Sequence, residues 1–196
     1  MHDPLFDGTD DAATPLDPDE REGLIPSYIT LRRELNEAEA MNIAEAERWA
    51  FARKRDILSE AGIRTLHKHM FGKVWRWAGE FRKTERNIGI DPVRIGVELK
   101  TLLDDAAYWI KQETYPPDEI AVRFHHRLVA IHPFPNGNGR HARLAADMLI
   151  RQLGGDRFSW GRTNMVKASD TRKAYVAALQ KADRHDISEL LAFARN

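Results

Sequence analysis

At 196 residues the chain is long enough for one domain with a real core and too short for two ordinary ones. Hydrophobic residues make up 42% and charged residues 31%, and Lys plus Arg equals Asp plus Glu at 30 each, so no global field advertises a nucleic-acid or membrane partner. Cysteine is absent, which excludes disulfides, thiolate metal sites and a cysteine nucleophile together. The opening stretch 1–23 has neither the basic start nor the apolar run of a signal peptide, and no apolar run approaches the ~18 residues of a membrane span. The expectation is a soluble protein of the cytoplasm.

The zero net charge hides an asymmetry. Residues 1–22 hold eight acids against Arg21 alone, a net charge of −7, so the remainder carries +7. With Pro4, Pro15 and Pro18 and few large apolar side chains, residues 1–26 read as an acidic, flexible tail ahead of a domain over 27–196. Whether this tail is merely solvated or lies across a basic groove of the body stays open.

From Asn36 the pattern turns helical. Asn36 followed by Glu39 has the spacing of a capping box, and Ile43, Ala46, Ala50 and Ile57 recur at helical intervals. A second helix is expected from about Ile63, with Leu66, Met70, Val74 and Trp77 on one stripe and a break at Gly79. Arg82 to Ile90 reads as extended structure, and Asp91-Pro92 marks a turn, which together predict a short β-hairpin. A third helix follows with Leu99, Leu102, Leu103, Ala106 and Ile110 inward. Pro116-Pro117-Asp118-Glu119 opens a fourth with Ile120, Phe124, Leu128 and Ile131 buried. A fifth runs from about Gly139 to Leu153 and stops at Gly154-Gly155. Ser169 or Asp170 starts a sixth through Tyr175 and Leu179, and Asp186 with Glu189 forms a capping box for a last short one. The fold class is mainly α, a helical bundle with one small β-hairpin.

One segment carries chemistry: His132-Pro133-Phe134-Pro135-Asn136-Gly137-Asn138-Gly139-Arg140-His141-Ala142-Arg143. It joins two amphipathic helices, so both its ends are fixed. The prolines stiffen it, and the glycines permit conformations in which backbone N–H groups turn toward one point. The helix that starts there adds its positive dipole end, which makes an anion site. Arg140 and Arg143, three residues apart in its first turn, add guanidinium forks that match phosphate oxygens and suit a di- or triphosphate. His132, with an ordinary pKa of about 6.5, supplies a base beside that site. His67, His69, His125 and His126 read as ordinary packed histidines, and no metal-ligand spacing supports a zinc site from His125, His126 and His132.

These residues resemble the signature of the Fic (filamentation induced by cAMP) family, HPFx(D/E)GNGRxxR, at His132, Pro133, Phe134, Gly137, Asn138, Gly139, Arg140 and Arg143. The resemblance extends to Val74-Trp75-Arg76-Trp77-Ala78-Gly79-Glu80-Phe81-Arg82 and Asn87-Ile88-Gly89-Ile90, and covers roughly residues 37–190; the overall pattern is similar to the subgroup labelled mobile mystery protein B.

The resemblance implies a helical Fic-type domain that transfers AMP from ATP to a Ser, Thr or Tyr hydroxyl of a target protein, with Mg2+ in attendance. By motif position it makes His132 the base, and Phe134 the anchor of the loop. Gly137, Asn138 and Gly139 become the phosphate cradle, with Asn138 orienting the α-phosphate, and Arg140 and Arg143 the clamp on the β- and γ-phosphates. It also makes Thr84, Glu85, Arg86, Asn87, Ile88 and Gly89 a flap that aligns the target by main-chain pairing. The family position that resembles a Mg2+ ligand is Asn136 here, which offers a carbonyl but no charge. The Gly-Asn-Gly-Arg core differs from the Doc-type branch, whose stretch carries Lys and which transfers phosphate. Thr30-Leu31-Arg32-Arg33-Glu34 is near the family's inhibitory pattern, which implies that Glu34, in a segment around 27–36, reaches Arg143 and keeps the enzyme quiet; serving the helix start, or pairing Arg32 or Arg33, is the alternative for Glu34.

Three other functions stay open. One is the reverse reaction, removal of AMP with Glu34 positioning water. Another is a nucleotide-binding module weakened by Asn136. The least favoured is a nucleic-acid-binding body, since Arg151, Arg157 and Arg162 are scattered among Gly and Trp. No membrane partner is expected, and the oligomeric state is not legible.

Overall fold

The computed structural model describes residues 23–161 and 168–196. Among them are seven α-helices: α1 Arg32–Phe51, α2 Glu60–Phe71, α3 Ile95–Lys111, α4 Pro117–Ile131, α5 Asn138–Gln152, α6 Ala168–Ala182 and α7 Ser188–Arg195. A 3-10 turn over Pro92–Arg94, capped by Asp91 Oδ1 accepting from Val93 N at 2.9 Å, precedes α3. The mainly α architecture therefore holds.

At the centre lies α5. His141 to Ile150 are buried without a break, because Ala142, Ala145 and Ala146 let neighbouring helices approach closely while Leu144, Met148 and Leu149 fill the space between. α4 packs most extensively on α5, α1 on α2, α3 on α4 and α6 on α7; α2 and α1 also touch α5. The core runs from Ile63, Leu66 and Met70 through Phe124 and Leu128 to Leu149 and Ile150, all at most 1% exposed.

Three boundaries differ from expectation. α1 begins at Arg32 rather than Asn36, because Glu34 Oε2 accepts from Thr30 N at 2.9 Å and Leu31 N at 3.1 Å, satisfying backbone donors at the helix start. α2 starts at Glu60, where Ser59 Oγ accepts from Gly62 N at 3.0 Å, and stops at Phe71. Beyond it the backbone of 74–76 turns to meet residues 23–25: Ile25 N donates to Val74 O and Arg76 N to Gly23 O, both at 2.8 Å. Residues 23–25 are thus joined to the body, inside the stretch expected as tail, and residues 1–22 lie outside the described residues. The start of α6 abuts 162–167, also outside them, which include Arg162.

The β-hairpin is not formed; no strand occurs among the described residues. Its two arms attach to the chain at 131–133 instead of to each other. Arg82 N donates to Pro133 O at 2.9 Å, and the Arg82 guanidinium takes the carbonyls of Thr84 (3.0 Å), Ile90, Ile131 (3.4 Å) and His132 (2.7 Å). One side chain holds carbonyls of both arms, Thr84 and Ile90, so a ladder is replaced by a guanidinium.

Candidate active site

The loop His132–Gly137 is pinned at each end by a left-handed residue. His132 caps α4 at φ 53, ψ 60, a conformation rare for a residue with a Cβ, and Gly137 precedes α5 at φ 76. Only glycine fits at 137, since an added Cβ would lie 2.4 Å from the Phe71 ring. α5 opens at Asn138, so Gly139 is helical and the loop's left-handed backbone is confined to His132 and Gly137.

Between these points the loop is bolted to the core. Phe134 is fully buried and stacks on His67 with ring centroids 3.7 Å apart. Asn138 Oδ1 accepts from Phe134 N at 2.9 Å while its Nδ2 donates to Phe134 O at 2.8 Å. Each end of this amide bonds the Phe134 backbone, so Asn138 ties the loop to the start of α5. His67 accepts from Gly79 N through Nδ1 at 3.0 Å; its Nε2 therefore carries the proton and donates to Asn136 O at 3.1 Å. Burial, joined by the neighbouring His141, holds the His67 pKa well below the ordinary imidazole range.

His132 stands half-buried at the loop's entrance, its Nδ1 inward. Burial lowers its pKa, the charges of Arg82 and Arg86 add to this, and the nearby Val129 carbonyl works the other way. The imidazole is neutral at physiological pH and able to accept a proton. The backbone of Gly89 lies directly on it, since a Cβ at 89 would come within 2.6 Å of His132 Cβ. Thr84 to Gly89 are exposed and run past the candidate base.

Arg140 and Arg143 both rise from the start of α5, but their guanidinium groups rest on different neighbours. Arg140 lies over the Phe71 ring at 4.9 Å, and its Nη1 meets Glu39 Oε2 at 2.7 Å. Arg143 lies 5.8 Å over Tyr175, whose hydroxyl is hydrogen bonded to His125 Nε2 at 3.0 Å. Glu34 is occupied at the start of α1 and makes no pair with Arg143. Glu39, 4% exposed, does reach a motif arginine, Arg140, and its second oxygen accepts from Trp75 Nε1 at 2.6 Å.

A Mg2+ ion held by the protein does not fit these residues. Asn136 turns its Oδ1 onto the loop's own Gly137 N at 2.7 Å, and among the described residues no three His, Asp or Glu side chains converge on a point. Beside Asn136 opens a cleft of about 810 Å³ lined by Arg32, Arg76, Lys83 and Arg86 with Trp75, Trp77 and Phe81. Arg151 and Arg157, by contrast, pair with Asp156 and Asp147 on another face.

Three residues of this site escaped sequence reasoning. Glu39 carries the signature of a capping partner, His67 that of a core histidine, and Arg82 is one cation among many. No local signal marks a carboxylate that meets an arginine 101 positions away.

Among the described residues no helix is long and apolar enough to cross a membrane. The model of the Fic/DOC family matches residues 57–150. The chain is 27% identical over 150 residues to protein adenylyltransferase fic-1 of Caenorhabditis elegans (72% of this chain, 27% of the relative) and 30% identical over 136 residues to protein adenylyltransferase fic-1 of Caenorhabditis briggsae (67% and 25%). It spans about a quarter of the length of these curated relatives. Among solved structures it is similar to Fic-1 (aa134 - 508) of C. elegans, with a TM-score of 0.66 at 23% identity over 89% of this chain and 51% of that one. It is similar also to the BepC protein of Bartonella tribocorum with bound AMPPNP, with a TM-score of 0.65 at 19% identity over 89% and 95%. These two likenesses are of fold. The loop bolted between two left-handed residues lies within the stretch, residues 57–150, that the Fic/DOC family model matches.

Proposed function

We propose that the chain is a protein adenylyltransferase, transferring AMP from ATP to a Ser, Thr or Tyr hydroxyl of a target protein. The observation that carries this reading is the juxtaposition of a neutral, half-buried His132 with the N-terminus of α5 and its two arginines. The adenylyltransferase names of the relatives and the AMPPNP bound in BepC favour ATP as the nucleotide.

In this reading the triphosphate rests against the backbone around Gly137–Gly139, with Arg140 and Arg143 on its outer phosphates. His132 Nε2 takes the proton of the target hydroxyl, the oxygen attacks the α-phosphorus, and the bond to the bridging oxygen breaks. Pyrophosphate leaves with its charge met by the two guanidinium groups. The segment 84–89 aligns the target over His132, and Asn138 holds the loop through its two bonds to Phe134. Any Mg2+ arrives with the nucleotide.

A second reading, a nucleotide-binding module without transfer, is favoured by Asn136 turning its oxygen inward and by Glu39 occupying Arg140. Removal of AMP through Glu34 has no such support, because that carboxylate serves the helix start. Incubation with ATP labelled at the α-phosphate, and in parallel at the γ-phosphate, separates the readings. The adenylyltransferase puts only the α-label on protein, and His132→Ala abolishes it. Binding of ATP without label transfer leaves the module.

A further inference from the structure

The cleft beside Asn136 is basic and open, and its charges are not matched by the body. Arg76, Lys83 and Arg86 are exposed and form no ion pair with any described residue, and Glu80 is the one acid among the lining residues. Arg82, at the cleft's inner wall, is spent on backbone carbonyls, so its charge adds to the field while its donors do not. Trp75 and Trp77, stacked with centroids 5.0 Å apart, give the floor an apolar surface.

We propose that this cleft is the docking site of the chain's own acidic segment, residues 1–22. Three observations converge. The segment carries −7 against a body of +7, so the complementary charges belong to one chain. Gly23, the residue that follows the segment, lines the cleft itself and is held there by the bond from Arg76 N to its carbonyl at 2.8 Å. The closing loop is therefore short, and its entropy cost small compared with docking elsewhere. A second basic cleft, lined by Arg53, Lys54, Arg151 and Arg157, lies at the far ends of α1 and α5, and two of its four cations already pair with acids. Leu5, Phe6 and Leu16 supply apolar groups for the tryptophan floor between the acids. Because the cleft is bordered by Pro135 and Asn136, the docked segment stands at the edge of the motif loop. This inference rests on the cleft and its charge, and does not depend on the reaction proposed above.

The absence of cysteine makes the test clean. In the full chain, Asp10→Cys carries a nitroxide label, and broadening of backbone amide signals is measured by NMR. Expected is a strong loss of intensity at Trp77, Lys83 and Arg86, with Arg53 and Lys54 unaffected, and recovery at high salt as the charges are screened. The triple variant Arg76→Glu, Lys83→Glu, Arg86→Glu changes only exposed side chains and leaves Arg82 in place; in it the loss disappears. Broadening at Arg53 and Lys54 instead, no broadening at either cleft, or the same pattern in the triple variant overturns the proposal. So does broadening that appears only between labelled and unlabelled copies, which assigns the cleft to a second molecule.

Discussion

Glu39 on α1 and Arg140 at the start of α5 form a buried ion pair, Oε2 to Nη1 at 2.7 Å, with side chains only 5% and 14% exposed. Trp75 Nε1 holds the other carboxylate oxygen, so the carboxylate is anchored from both sides. The arginine best placed to meet a phosphate thus already faces an anion that belongs to the protein.

Replacing Glu39 separates the two roles of that pair. Removing one partner of a buried pair costs about 3 kcal/mol, so Glu39→Ala is expected to unfold at markedly lower urea. Glu39→Gln keeps an acceptor for Trp75 and leaves Arg140 without a charged neighbour on that side. ATP is expected to bind it up to about tenfold more tightly, a difference of ~1.4 kcal/mol. Weaker binding by calorimetry would show that Glu39 orients Arg140 for the nucleotide rather than opposing it.

The acid limb of activity should belong to His132. Burial first, and then Arg82, lower its pKa, so the proton-accepting form persists below the ordinary value of 6.5. Transfer rate is expected to be flat from pH 7 to 8 and to fall only below pH 6.5, with ATP affinity in His132→Ala within a few-fold of wild type. A rate that still climbs between pH 7 and 8 would assign the base to another group.

Asp147 provides a stability test with the opposite sign. It is 3% exposed, its pKa is pushed up to about 6 by burial despite Arg157, and Oδ1 accepts from Trp160 Nε1 (3.0 Å) and Phe158 N (3.2 Å). Between pH 4 and 6 the folded state binds more protons than the unfolded one, so this group's contribution to stability falls as pH rises through that window. Asp147→Asn keeps the acceptor and has no charge to bury. It is expected to match wild type near pH 4 and to exceed it by about 2 kcal/mol at pH 7. A loss of stability in Asp147→Asn that grows from pH 4 to pH 7 would mean that the pairing with Arg157 outweighs the burial.

Arg82 should control the segment over His132. Its guanidinium holds four carbonyls, at 84, 90, 131 and 132, and among the described residues no other side chain bridges them. Arg82→Gln cannot span these acceptors, and each bond lost to a charged donor is worth about 1.5–3 kcal/mol. Amide exchange at Gly89 and Ile90 is expected to accelerate by at least an order of magnitude, with the amides of α5 unchanged. Unaltered exchange at Gly89 would show that packing on His132 alone keeps the segment in place.

The segment over His132 shows where local reading stops. The extended reading of Arg82 to Ile90 and the Asp91-Pro92 turn predict a hairpin, and the turn is present, yet among the described residues the ladder is absent because Arg82 reaches across the chain to carbonyls that a strand would have paired. Glu34 and Glu39 make the same point. Both sit at helix-start spacing, and only the packing of α1 against α5 assigns one to the backbone and the other to Arg140.

Sequence by itself determined what short-range physics controls. Helical periodicity set the bundle, and two prolines and two glycines between amphipathic helices set a stiff turn into a helix start. A histidine and two arginines at that turn set the expectation of an anion site with a base beside it. Tertiary structure alone decided which side chains complete the site, because the partners lie on other parts of the chain: His67 under Asn136, Glu39 on Arg140, Arg82 behind His132. Spacing along the chain fixes neighbours within a turn or two, whereas contacts over 50 to 101 positions exist only once the core has brought the helices together.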